Sequence, residues 1–113
     1  MESILTSIKK LLGIPEDYTH FDQDIIIHIN SVFMVLNQLG VGPENCFFIE
    51  DDTSTWEDFL DDDTSMEAIK TYVYLKVRVI FDPPANSTVM KSIEDAIKEY
   101  EFRLNVIADP GIK

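Results

Sequence analysis

The run IIIHINSVFMVLNQL, residues 25–39, contains no Asp, Glu, Lys or Arg. At 100° per residue, Ile25, Ile26, Ile29, Val32, Phe33, Leu36 and Leu39 fall on one broad stripe, the spacing of an amphipathic helix. Ile27 and Met34 fall on the opposite side, among Gln23, Asn30, Asn37 and Gln38. A helix with no charged face is usually covered on both sides. Either it lies central in its own domain or another chain covers its second side, and the residues alone leave both readings open. Asp22 reads as the N-cap of this helix, with Phe21 placed to staple against Ile26. Gly40, Gly42 and Pro43 end it.

Other segments show the same period. Ile4, Leu5, Ile8, Leu11 and Leu12 predict a short leading helix stopped by Gly13 and Pro15. Ser54 or Thr55 caps a brief helix at Trp56–Leu60, and Trp56 and Phe59 read as core. Residues 40–55 read as a loop in which Cys46-Phe47-Phe48-Ile49 is a short strand or a segment tucked against the core. Residues 66–81, MEAIKTYVYLKVRVIF, fit two patterns. Val73, Leu75, Val77, Val79 and Phe81 alternate as in a strand. A helix instead places Met66, Ile69, Val73, Val77 and Ile80 on one face and Ala68, Tyr72, Leu75 and Val79 on another. Sixteen residues is long for a strand and ordinary for a helix. A last helix begins near Asn86 or Ser87, with Val89, Ile93, Ala96, Ile97, Tyr100, Leu104 and Ile107 as its stripe. Phe102 and Val106 lie off that stripe and read as contact residues. The residues therefore predict a mainly all-α bundle of four to five helices, with a long acidic loop after the second, in one domain of 113 residues.

The chain carries 21 acids against 9 bases, a formal net charge of -12. No Lys or Arg occurs between Lys10 and Lys70, and Glu44, Glu50, Asp51, Asp52, Glu57, Asp58, Asp61, Asp62, Asp63 and Glu67 fall in that gap. This balance opposes gripping nucleic-acid phosphates, which requires Lys and Arg to displace counterions. It equally opposes adhesion to anionic membranes. No stretch approaches the ~18 apolar residues of a membrane span, and the N-terminus reads as an amphipathic helix rather than a signal peptide. The single cysteine, Cys46, forms no intrachain disulfide and suits a reducing compartment.

Signatures of chemistry are missing. There is no Gly-rich phosphate loop, and His20 and His28 stand in no nucleophile–base pattern. The acidic run lacks the alternating ligands, central Gly and terminal Glu of a calcium loop. The residues therefore predict no catalytic, cofactor-binding or metal site, and a chain that works by binding other proteins. Two rival readings are an acidic DNA-mimic inhibitor of a nucleic-acid-binding enzyme and a small regulatory subunit.

The segments LLGIP, FDQDIIIHINSVFMVLNQLGVGP, TWEDFL, IKTYVYLKVRVIFDPP and EFRLNV, in this order, resemble tailed-phage head–tail connector proteins. These are small head-completion adaptors common in phages and prophages of Gram-positive bacteria. The resemblance spans nearly the whole chain and is weakest over the acidic stretch 44–63. It implies a helical bundle, which makes 66–81 a helix. It also implies a ring, typically of twelve copies, beneath the portal protein in the virion, assembled in the bacterial host cytoplasm. That ring would extend the DNA channel and receive a head-closure or tail-completion protein, and DNA would pass without specific binding. On this reading Ile27, Met34, Tyr72, Leu75 and Val79 are candidate subunit-interface residues. Arg103, Leu104, Val106, Ile107 and Ile112, within the tail 103–113, are candidate portal-binding residues. Asp51, Asp52, Asp61, Asp62 and Asp63 are candidate acids facing the channel or the downstream partner.

Overall fold

The computed structural model describes residues 2–60 and 63–108. Its elements are α1 (Ile4–Leu11), α2 (Asp22–Gln38), α3 (Trp56–Phe59), α4 (Asp63–Phe81) and α5 (Ser87–Ala108). The expected all-α bundle is what forms, and residues 66–81 lie in a helix. Helix α4 packs on both α2 and α5, and α1 rests on α2 and α4. The resulting plate measures 43 × 36 × 20 Å.

Local chemistry sets the helix ends. Ser3 caps α1 by accepting a hydrogen bond from the Thr6 N–H at 3.2 Å. The leading segment is tied across to the residues before α3: Ile4 N–H donates to Ser54 O at 3.0 Å and Trp56 N–H to Glu2 O at 3.3 Å. Thr55 and Asp58 form a reciprocal capping box on α3. Asn86 caps α5, its side-chain oxygen accepting from Thr88 and Val89 N–H at 2.8 and 3.1 Å.

The N-terminus of α2 corrects the sequence expectation. Phe21 occupies the cap position and makes no side-chain cap bond, while Asp22 is the first helical residue. The Asp22 carboxylate is drawn to Lys9, whose ammonium stands 2.8 Å from it. Lys9 is buried, and its second partner is the Glu16 carbonyl at 3.0 Å. An ion pair in this setting satisfies a buried cation more fully than a cap bond would satisfy one amide. The Phe21 ring meets Phe81 edge-on at 5.3 Å, joining the start of α2 to the end of α4.

The core runs from Ile4, Leu5 and Ile8 through Ile25, Ile29, Val32, Phe33 and Leu36 to Ile69, Val73, Val77 and Leu104. Phe33 is its aromatic hub, with Phe47, Trp56 and Phe59 around it at centroid distances of 5.3, 6.4 and 4.7 Å. Trp56 is fully buried and its indole N–H donates to Ser7 Oγ at 2.8 Å. This bond removes the cost of burying that donor.

Candidate interaction surfaces

The outer side of α2 remains in water. Ile27 is 62% exposed and Met34 51% exposed. They are seven residues apart and so share one face of the helix. The neighbouring line of α2 carries Asn30 and Asn37, and these asparagines hold the following loop. The Asn30 amide donates to Ile49 O at 2.9 Å while its oxygen accepts from Ile49 N–H at 2.8 Å. The Asn37 amide donates to the Pro43 and Glu44 carbonyls, each at 3.2 Å. The loop thus runs back along α2 beside the Ile27–Met34 face. It buries Ile49, half-buries Phe47 and leaves Phe48 exposed. The segment Cys46–Ile49 is loop, not strand.

This arrangement answers the question posed by the uncharged run. One side of α2 faces the core, part of the other carries the loop, and a strip with Ile27 and Met34 is left uncovered. The asparagines that read as polar flanks are loop anchors. No local sequence pattern distinguishes those roles, because their partners lie 6, 7 and 19 residues away.

The remaining candidates separate into exposed and interior residues. Tyr72 is fully buried, which corrects its assignment to a subunit surface. Because α4 is packed by α2 on one side and α5 on another, Tyr72 of its second apolar stripe is taken into the core. The Tyr72 hydroxyl donates to Glu101 Oε2 at 2.8 Å, and Lys76 approaches the same oxygen at 3.7 Å. Burial first, and the adjacent Glu101 carboxylate second, hold the Tyr72 hydroxyl well above the ordinary tyrosine range. Leu75 and Val79 are half-buried against the core. Val79 also borders a shallow groove between α4 and α5, with Lys76, Ile80, Ile97, Lys98 and Glu101.

Leu104 is 2% exposed, in phase with Ile93 and Ile97 on the inner stripe of α5. It is a core residue rather than a portal contact. Arg103 is exposed and pairs with Glu99 at 2.7 Å, and Val106 is half-buried. Ile112 and the side chain of Ile107 lie outside the described residues. Phe102, 69% exposed, stands on the outer face of α5.

Of the acids, Asp51 and Asp52 are exposed. Asp51 accepts from Thr53 N–H at 2.9 Å and from the Thr53 hydroxyl at 2.5 Å. These bonds, the hydroxyl's first, hold its carboxyl below the usual carboxylate range. They close a local turn. Asp61 and Asp62 lie outside the described residues, and Asp63 opens α4.

The histidines stand against aromatic rings. His20 meets Phe21 at 4.8 Å and His28 meets Phe81 at 6.4 Å. Among the described residues no group of three or more His, Cys, Asp or Glu could hold a metal ion, and no described helix is long and apolar enough to cross a membrane.

A protein-family model described as "Phage connector protein" matches residues 4–111, a span that includes all five helices. The chain belongs to the phage connector family. No curated protein and no solved structure matches it. The family is structural, and its members act at the junctions of the virion with portal and head–tail proteins. In this connector, Asn30, Asn37 and Trp56 fasten helices and loop, while Ile27, Met34, Phe48, Ile80 and Phe102 present apolar surface to water.

Proposed function

We propose that this connector is a head-completion adaptor. Copies form a closed ring beneath the portal at the DNA exit vertex, extend the channel and present a platform to the head-closure or tail-completion protein. Family membership across all five helices carries the reading. The exposed apolar residues on α2, α4 and α5 of a chain whose core is already filled support it. Such residues are the material of protein–protein contacts.

The C-terminal segment from Arg103 onward engages the portal, with Arg103 and Val106 as its described contact residues. The acids of segment 44–63, Asp51, Asp52, Asp61, Asp62 and Asp63 among them, face the channel or the downstream partner. A negative wall repels phosphates within a Debye length of ~8 to 10 Å and lets DNA slide without being gripped. Assembly takes place in the bacterial host cytoplasm, and the mature location is the head–tail interface.

The test is reconstitution. Purified chain is added to DNA-filled, portal-bearing heads made without it, and the vertex is imaged. A ring beneath the portal, with tail joining restored, is the expected result. Heads that bind none of the chain would refute the adaptor role. The triple change Asp61→Asn, Asp62→Asn, Asp63→Asn is expected to leave the helical circular dichroism unchanged and to impair ring assembly or DNA ejection. If both stayed normal, the acids would have no such part.

A further inference from the structure

The outward faces of α2 and α5 differ, and the fold sets them apart. Helix α4 packs against both. The stripe of α2 bearing Ile29, Phe33 and Leu36 and the stripe of α5 bearing Ile93, Ile97 and Leu104 are buried. The opposite strip of each helix therefore points away from the shared core. On α2 that strip holds Ile27 and Met34. Its charged neighbours are Asp24 on the helix and Glu44 and Glu50 on the loop that Asn37 and Asn30 hold alongside. The sequence places no Lys or Arg anywhere from residue 11 to residue 69.

On α5, Lys91, Asp95, Lys98 and Phe102 recur at the spacing i, i+4, i+7, i+11 and share one outer strip. All four are exposed, and Lys91 reaches Asp95 at 3.5 Å. Phe102 is more exposed than Ile27 or Met34. One strip is thus apolar with an acidic border, and the other sets an aromatic ring beside two lysines and Asp95, with Lys91 paired to Asp95 and Lys98 nearest the ring.

We propose that these two strips bind each other between neighbouring copies of this chain, Phe102 of one copy seating on the Ile27–Met34 face of the next. Lys91 and Lys98 then meet the acidic border. Because the strips are not alike, the contact is head-to-tail, the kind that propagates around a ring and does not stop at a dimer. Charge complementarity sets the register and disfavours like strips meeting. The proposal rests on the adaptor reading and adds to it which faces make the lateral joint.

The experiment uses the full chain on heads made without it. Cys46 is first replaced by serine, and Met34→Cys and Phe102→Cys are then introduced singly and together. After ring assembly a short bis-maleimide is added and the products are separated under denaturing conditions. The double variant is expected to give a ladder of covalent multimers, and each single variant monomer only. Dimers from either single variant, or rings visible on the heads with no ladder from the double variant, would overturn the proposed joint and leave the ring reading standing. Failure of the unmodified chain to form rings would remove both.

A second pair of variants covers poor loading by the cysteine forms. Reversing the acidic border (Asp24→Lys with Glu50→Lys) or the lysines (Lys91→Glu with Lys98→Glu) is expected to weaken assembly about tenfold. Both reversals in one chain should restore it. Circular dichroism checks that each variant folds. No recovery in the combined variant would overturn the pairing.

Discussion

Gly42 brings the loop backbone against the core ring of Phe59. Its φ is +91°, a region that L side chains rarely adopt, and an added Cβ would lie 2.5 Å from Phe59 Cε1. Gly42→Ala therefore meets strain twice and is expected to cost about 2 kcal/mol or more, measured as a lower urea midpoint. Lys9 is a second such point. Lys9→Ala leaves Asp22 facing a vacated site and is expected to destabilise by roughly 3–5 kcal/mol, the cost of breaking a buried pair. Lys9→Met with Asp22→Leu should recover much of that loss in the same titration. Tyr72 predicts a pH dependence. Its folded-state pKa is raised, so the folded protein retains a proton that the unfolded chain releases. That contribution is complete below about pH 10, the unfolded tyrosine value, and is lost as pH rises above it. Lys70, raised by its hydrogen bond to Glu2, pulls in the same direction. Tyr72→Phe should flatten the alkaline limb of a stability-versus-pH curve, and the slope that remains belongs to groups such as Lys70.

At the scale of elements, α2 shows what a sequence pattern can and cannot carry. Its buried stripe and the outward placement of Ile27 and Met34 follow from the 3.6-residue period alone. The work of Asn30 and Asn37 does not, because amides that anchor a loop and amides that solvate a face look alike in a list of residues. Asn30→Ala removes both bonds to Ile49 and leaves its buried backbone to find other partners. A loss of about 1–3 kcal/mol is expected, with faster amide exchange through residues 43–50 while α4 stays protected. Uniform acceleration across the chain, or none, would show that the asparagine does not hold the loop. Helix α4 was ambiguous for a related reason. Val73 and Val77 satisfy a strand alternation and a helix stripe at once, and long-range packing against α2 and α5 decides between them. The cap of α2 was misread because Asp22 suits an N-cap, while the competing partner, Lys9, lies 13 residues earlier.

For the molecule as a whole, helix content and much of the core were legible, because apolar period and cap chemistry are local. The candidate surfaces were legible only in part. Tyr72 and Leu104 were assigned outward, yet each is buried once α4 and α5 pack together, and periodicity does not say how many of a helix's faces its neighbours cover. Ile27, Met34 and Phe102 were read correctly as off-stripe residues, and among the described residues all three stay exposed. A folded plate with unlike outer strips, belonging to the phage connector family, is suited to assembly. Its proposed role is to assemble as the adaptor ring of the head–tail junction. Electron cryo-microscopy of finished particles tests this most directly. The expected map shows a closed ring between portal and tail whose subunits fit the α1–α5 arrangement, with Ile27 and Met34 covered by the adjoining subunit. Particles that are complete and infectious without this polypeptide at the vertex would contradict it.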